Sequence, residues 1–177
     1  MTNLERLLSQ YAAYHLDRNN ILTHFIGIPL IVFSILCLTA RAYVEISSVS
    51  VTLASILILL STIYYISLDK LFGILMLIIF IAVYPLAVKI AALPMWSWLG
   101  ASIGIFVVGW VFQFIGHYFE KKKPAFVDDL IGLAIGPLFV LAEFIFMLGF
   151  RKPLHQRILK EAQMKRAAMD MKTQTIS

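Results

Sequence analysis

The sequence predicts an all-α protein, a multi-pass transmembrane helical bundle of four to five spans preceded by an amphipathic N-terminal helix. Three observations lead there. Of the 177 residues, 60% are hydrophobic and only 14% are charged, which leaves too little polar surface to cover a soluble domain of this size. The charges are clumped, with none between Ile46 and Leu68, between Leu71 and Val88, or between Ile90 and Phe119. Each run reaches or approaches the roughly 20 apolar residues that carry a helix across a bilayer. Ahead of these runs stands a segment whose apolar residues recur with a helical period.

In that segment Leu4, Leu7, Leu8, Tyr11, Ala12 and His15 fall at i, i+3, i+4, i+7, i+8 and i+11. This is one face of a helix, and Glu5, Arg6, Gln10 and Arg18 lie away from it. Such a helix rests on the membrane surface or against the bundle. Asn19-Asn20 is expected to break it and open the next element, since Asn favours caps and turns. The segment is amphipathic rather than basic-then-apolar, so no cleavable leader is expected.

A first span is predicted over residues 22–40, with Gly27 and Pro29 in its opening turns, where a missing N–H is tolerated. A second covers residues 49–68 and ends at a very short turn, Asp69-Lys70. The third, residues 71–92, carries a kink at Pro85 and a snorkelling Lys89 before Pro94 ends it. The fourth, residues 96–119, begins with Trp96 and Trp98, the aromatic residues expected at a membrane interface. A highly charged loop follows over residues 120–129. The fifth apolar stretch, residues 130–150, contains Gly136-Pro137 and Glu143; it either crosses in full or bends back as a re-entrant segment. The domain reading is a single membrane-embedded domain over residues 1–155 and a basic tail over residues 156–177.

The net charge of +5 resides in the tail, because residues 1–150 carry eight Lys/Arg against eight Asp/Glu. From Arg151 onward come Arg151, Lys152, Arg157, Lys160, Lys165, Arg166 and Lys172 against Glu161 and Asp170. A basic segment directly after an apolar helix marks an anchor facing anionic lipid. No basic groove with interleaved aromatics is present, so nucleic acid is not an expected partner. Cys37, the single cysteine, lies in an apolar run; it excludes an internal disulfide and reads as a packing residue.

Topology brings distant residues together. If the first four spans cross, His24 at the start of the first and His117 at the end of the fourth share one membrane surface. His15 joins them if its amphipathic helix lies on that face. Around these histidines stand two motifs. The first is H-x3-N-x4-H, formed by His15, Asn19 and His24, running into Gly27 and Pro29. The second is Q-x2-G-H-x2-E, formed by Gln113, Gly116, His117 and Glu120 and followed by Pro124-Ala125. Gln113, His117 and Glu120 are at i, i+4 and i+7, so they project from one helical face.

Ionisable residues at membrane depth are functional candidates, because burying one unpaired is costly. Imidazole suits iron, zinc, copper and nickel, and two or three histidines with one carboxylate and open positions is the ligand set of non-haem Fe(II) oxygenases. Glu120 is the first candidate carboxylate and Asp17 the second; Glu120 reads equally as an interfacial charge paired with the lysines that follow it. Asn19 and Gln113 either orient the imidazoles or cap their helices. Glu143 reads as a proton-relay group or as a polar helix-packing contact, and His155 as a tail residue facing solvent or lipid headgroups.

On these two motifs the sequence resembles the 2-hydroxy fatty acid dioxygenase family, along nearly the whole chain. The resemblance implies α-oxidation with Fe2+ as cofactor, in which a 2-hydroxy fatty acid loses one carbon with consumption of O2. By the same resemblance His15, His24 and His117 are the iron ligands, with Glu120 carried over beside them; Glu120 and Asn19 are the expected catalytic residues and Gln113 the expected cofactor-binding residue. It implies a membrane lipid environment, either a bacterial inner membrane or, in a eukaryote, the endoplasmic reticulum; the tail shows no retention signal. The other readings are a different metal-dependent lipid-modifying enzyme and a small transporter or scaffold. Four histidines are too few for the di-iron site of desaturase-like enzymes, and the internal duplication common in transporters is absent.

Overall fold

Thr2 starts the first helix. Its side chain accepts the Glu5 N–H while Glu5 accepts the Thr2 N–H in return, a capping box that pairs two otherwise orphaned donors. Helix α1 (Asn3–Ala12) follows and buries Leu4, Leu7, Leu8, Tyr11 and Ala12, the face expected from their spacing. The computed structural model describes residues 1–47, 49–122 and 131–176. The charged loop from residue 123 onward, with Pro124-Ala125, lies outside the described residues, as does Leu130 at the head of the fifth apolar stretch. The chain forms two compact units, Met1–His24 with Phe114–Ser177, and Phe25–Gln113.

In the first unit α1 packs on α6 (Ile131–Met147) and α7 (Lys152–Ile176). Helix α6 contributes Ile135, Leu138, Phe139 and Ala142 to the core, and α7 contributes Leu154, Ile158 and Ala162 at i, i+4 and i+8. Gly136-Pro137 does not interrupt α6. Between α6 and α7 the backbone reverses at Gly149, whose φ of 86° favours glycine, and the Phe150 N–H reaches back to Ile145 O at 3.2 Å. The basic tail is therefore a helix docked on α1, with Arg157 bonded to Glu5 at 2.7 Å.

Helix α1 ends earlier than the His15 periodicity implies. Tyr14 and His15 close with N–H bonds to Tyr11 O and Ala12 O, and α2 (Arg18–Thr39) begins directly after. Asp17 opens it, accepting the N–H groups of Asn19 and Asn20 on Oδ1 at 2.8 and 3.2 Å. A carboxylate at that position complements the helix dipole, so Asp17, rather than the asparagine pair, marks the boundary.

The second unit holds the remainder of α2, a hairpin of β1 (Tyr43–Ile46) and β2 (Val49–Thr52), then α3 (Leu53–Leu68), α4 (Lys70–Ala91) and most of α5 (Met95–Glu120). The hairpin replaces the first residues of the expected second span. Its antiparallel register pairs Tyr43 with Thr52 and Ile46 with Val49; β-branched residues at 49, 51 and 52 suit a strand, and Thr52 then caps α3 by accepting the Ser55 N–H at 3.0 Å. Asp69 ends α3 and caps α4, which makes the turn between these antiparallel helices as short as expected. Gly73 meets the Ile66 backbone where they cross, too close for any side chain. Arg41 donates to Ala91 O and Leu93 O at the end of α4 and lies 4.7 Å from the Trp98 ring centroid. Trp98 Nε1–H donates to the Cys37 carbonyl, so Cys37 is packed in as expected.

Many large apolar side chains, including Ile74, Ile78, Ile81, Val107 and Val111, point outward, as lipid-facing residues do. Among the described residues three helices, α2, α4 and α5, are long and apolar enough to cross a membrane. This corrects the expected span count of four to five. Helices α3 and α6 are apolar but hold 16 and 17 residues, about 24–26 Å at 1.5 Å per residue, short of a hydrocarbon core about 30 Å thick. The hairpin takes up residues that a longer α3 would have used.

Candidate metal centre

Three imidazoles meet in the first unit. His15 sits in the turn after α1, His24 in the second turn of α2 and His117 near the end of α5; all three are buried. Ring centroids are 4.6 Å apart for His15 and His24, 5.0 Å for His15 and His117, and 5.2 Å for His24 and His117. Each offers one ring nitrogen, and these nitrogens all lie within 4.8 Å of one another.

Local structure fixes which nitrogens face the centre. His15 Nδ1 lies 2.7 Å from Tyr11 O, and His24 Nδ1 lies 2.8 Å from Asn20 O. A carbonyl only accepts, so both Nδ1 atoms carry the proton, and each Nε2 is left with a free lone pair. Those Nε2 atoms, together with His117 Nδ1, are buried without a hydrogen-bond partner. Three unpartnered imidazole nitrogens in one buried cluster fit a cation. Backbone carbonyls on the opposite ring nitrogen are the usual means of holding a metal-binding imidazole in orientation. Burial, reinforced by neighbouring His24, holds the His15 pKa well below its ordinary value, which keeps this imidazole neutral and able to coordinate.

Packing leaves these rings little freedom. Tyr11 stacks on His15 at 4.1 Å with an interplanar angle of 5°, and Phe139 lies behind both. Gly116 lets α5 approach the opening of α2: a Cβ there would collide with Thr23 Oγ1 and Asn20 Oδ1 and stand 3.1 Å from His24 Nδ1.

The remaining expected site residues divide. Glu120 is buried one turn after His117, but it is outside the metal-capable group found among the described residues. Its Oε1 accepts from Arg166 at 2.7 Å, and its Oε2 accepts from the Asp17 N–H at 2.8 Å and from Asn20 Nδ2 at 3.1 Å. Asp17 lends its carboxylate to the start of α2. Asn19 is exposed there, whereas its neighbour Asn20 is fully buried and joins Glu120 to His24. Gln113 belongs to the second unit, buried against Gly27 with Nε2 unpartnered. Glu143 is half-buried in α6, and the His155 ring stacks on Phe146 at 4.6 Å. Sequence reasoning overlooked Asn20, which spacing alone does not separate from Asn19, and Arg166, which it left among the lipid-facing charges of the tail.

Fold and cluster together define a class: a helical protein with membrane-length apolar helices and a buried cluster of three imidazoles, near its helix ends, close enough together to hold a metal ion. Residues 1–148 match the profile of the family described as 2-hydroxy-palmitic acid dioxygenase Mpo1-like. A curated relative, the 2-hydroxy-palmitic acid dioxygenase MPO1 of Saccharomyces cerevisiae, is 32% identical over 180 residues, covering 98% of each chain. The chain therefore belongs to the Mpo1-like family. No solved structure matches it.

Proposed function

We propose that this protein is an Fe2+-dependent dioxygenase that converts 2-hydroxy fatty acids to the one-carbon-shorter acid with O2, and that His15, His24 and His117 hold the iron. The observation that carries this reading is the set of three convergent, unpartnered imidazole nitrogens in one buried cluster. The name of the yeast relative supports the substrate class and the use of O2, and O2 chemistry favours a redox-active metal among those that imidazole suits.

When bound, iron supplies an electron donor and a template for the acid's carboxylate and hydroxyl. The protein's residues do the rest. The carbonyls of Tyr11 and Asn20 hold His15 and His24 in the Nδ1–H tautomer, and the Tyr11 and Phe139 rings exclude water from one side of His15. Glu120 acts by holding the opening of α2 in place through Asp17 and Asn20. Helices α2 and α5 cross the bilayer in this reading, joined by the antiparallel α3–α4 pair, so that His24 and His117 fall on one side; the substrate reaches the centre from the lipid phase, its polar head toward the imidazoles.

Metal analysis of protein purified anaerobically in detergent with iron supplied tests this, with wild type beside a His24→Ala, His117→Ala double variant. Near-stoichiometric iron in the wild type, lost in the variant, and O2 uptake with 2-hydroxypalmitate are expected. Zinc retained in place of iron would point to hydrolytic chemistry. Absence of any metal would leave the histidines structural and favour a scaffold.

A further inference from the structure

One side chain beyond the profile match bonds to two of the segments that bear an imidazole and reaches the third through Glu120. Arg166 lies on α7, beyond the matched residues 1–148, and is 17% exposed against 2% for its partner Glu120. Its Nη1 donates to Ala13 O at 2.8 Å, at the end of α1 just before His15, and to Glu120 Oε1 at 2.7 Å. Its Nη2 donates to the Glu120 carbonyl at 3.3 Å, on the turn of α5 that follows His117. From Glu120 the connection continues to Asp17 N–H and Asn20 Nδ2 at the opening of α2, and Asn20 O accepts from His24. Asp170 stands 3.7 Å from Arg166 Nε and also pairs with Lys122, so α7 is tied to the end of α5 a second time.

We propose that Arg166 is a positioning residue for the three-imidazole centre, its guanidinium fastening together the segments that carry His15, His24 and His117. The inference rests on the metal reading above. Arginine suits the task because its planar fork donates in several fixed directions at once, and here those directions end on a carbonyl of α1 and on both a carboxylate and a carbonyl of α5. Lysine would keep the charge beside Glu120 but not the fork. Arg157, on the same helix, pairs α7 with α1 through Glu5 among the described residues and serves as the control for docking alone.

The test is a Co2+ titration of metal-free full-length protein in detergent, following the ligand-field bands of the bound ion. Wild type, Arg166→Met, Arg166→Lys and Arg157→Met are compared, with far-UV circular dichroism to confirm the helices. Loss of a group that orients metal ligands weakens binding by about 10- to 100-fold, which is the effect expected for Arg166→Met. Arg166→Lys should bind more weakly than wild type with altered bands, and it decides the matter if Arg166→Met does not fold. Arg157→Met should titrate as wild type. Wild-type affinity and spectrum in Arg166→Lys, or equal losses in Arg166→Met and Arg157→Met, would overturn the proposal. No Co2+ binding by the wild type would instead overturn the metal reading, and this inference with it.

Discussion

Replacing Gly116 by Ala separates the geometry of the centre from the stability of the fold. The new methyl would fall far inside contact distance of Thr23 Oγ1 and Asn20 Oδ1, both on the first turns of α2. With the Thr23 and Asn20 side chains held by their own hydrogen bonds, restoring an ordinary van der Waals separation of about 3.5 Å draws α5 back by about 1 Å. Overpacking of this kind costs about 1–3 kcal/mol, and the better helix propensity of Ala offsets about 1 kcal/mol, so the net loss is about 0–2 kcal/mol. The displacement falls on the residue next to His117, and a misplacement of about 1 Å at a reacting centre lowers rate by about 100-fold. The expected result is O2 uptake with 2-hydroxypalmitate reduced by about two orders of magnitude in a protein whose thermal transition in detergent moves little. Gly104→Ala is the control, since nothing lies within 4 Å of a Cβ there; it should leave activity unchanged. Activity in Gly116→Ala within twofold of wild type, with the variant folded, would refute the idea that close approach of α5 to α2 sets the imidazole spacing.

Other perturbations test neighbouring parts. Tyr11→Leu removes the ring stacked on His15 at 4.1 Å but keeps the carbonyl that accepts from it; a loss of about 0.5–1.5 kcal/mol of stacking should weaken Co2+ binding several-fold, read in the same titration. Thr52→Ala removes the cap of α3 and the hydroxyl partner of Tyr84, so thermal unfolding should show a loss of about 1–2 kcal/mol. The Thr2 N–H, with Arg157, holds the Glu5 carboxyl below its ordinary value of 4.5, and burial opposes them in part. A depressed carboxylate contributes stability that is complete above its unfolded value and lost as pH falls through its folded one. Hydrogen-exchange protection factors of α1 and α7, which divide out the intrinsic pH dependence of exchange, should therefore fall in acid below that ordinary value, and Glu5→Gln should flatten the dependence.

What could be read from sequence followed the strongest physical signals. Charge-free runs gave the long helices, and the i, i+3, i+4 spacing of Leu4, Leu7, Leu8 and Tyr11 gave the buried face of α1, because lipid and core both reject charge. Convergence of His15, His24 and His117 was expected from four crossings, a premise that the three long helices alone do not meet; the antiparallel return through α3 and α4 restores an even number of passes. The hairpin was hidden because Val49, Val51 and Thr52 continue the apolar run before Leu53, and hydropathy does not distinguish strand from helix over so few residues. The end of α1 was missed because His15 keeps the helical register in sequence while its chain has already turned to reach α2. Asn20 and Arg166 meet at Glu120, a partner distant in sequence from both, and no local pattern announces such pairs.

The placement of Arg166 also orders the assembly of the protein in time. A chain emerging from the ribosome presents its apolar helices first, each able to enter lipid as it appears. His15, His24 and His117 are all present well before Arg166 is made. Until α7 folds back on α1, the end of α5 and the opening of α2 are joined through Glu120, Asp17 and Asn20, without the guanidinium. On the positioning role proposed for Arg166, the cluster takes its final form only once α7 has docked, and a product cut short before Arg166 would keep every imidazole while lacking that contact.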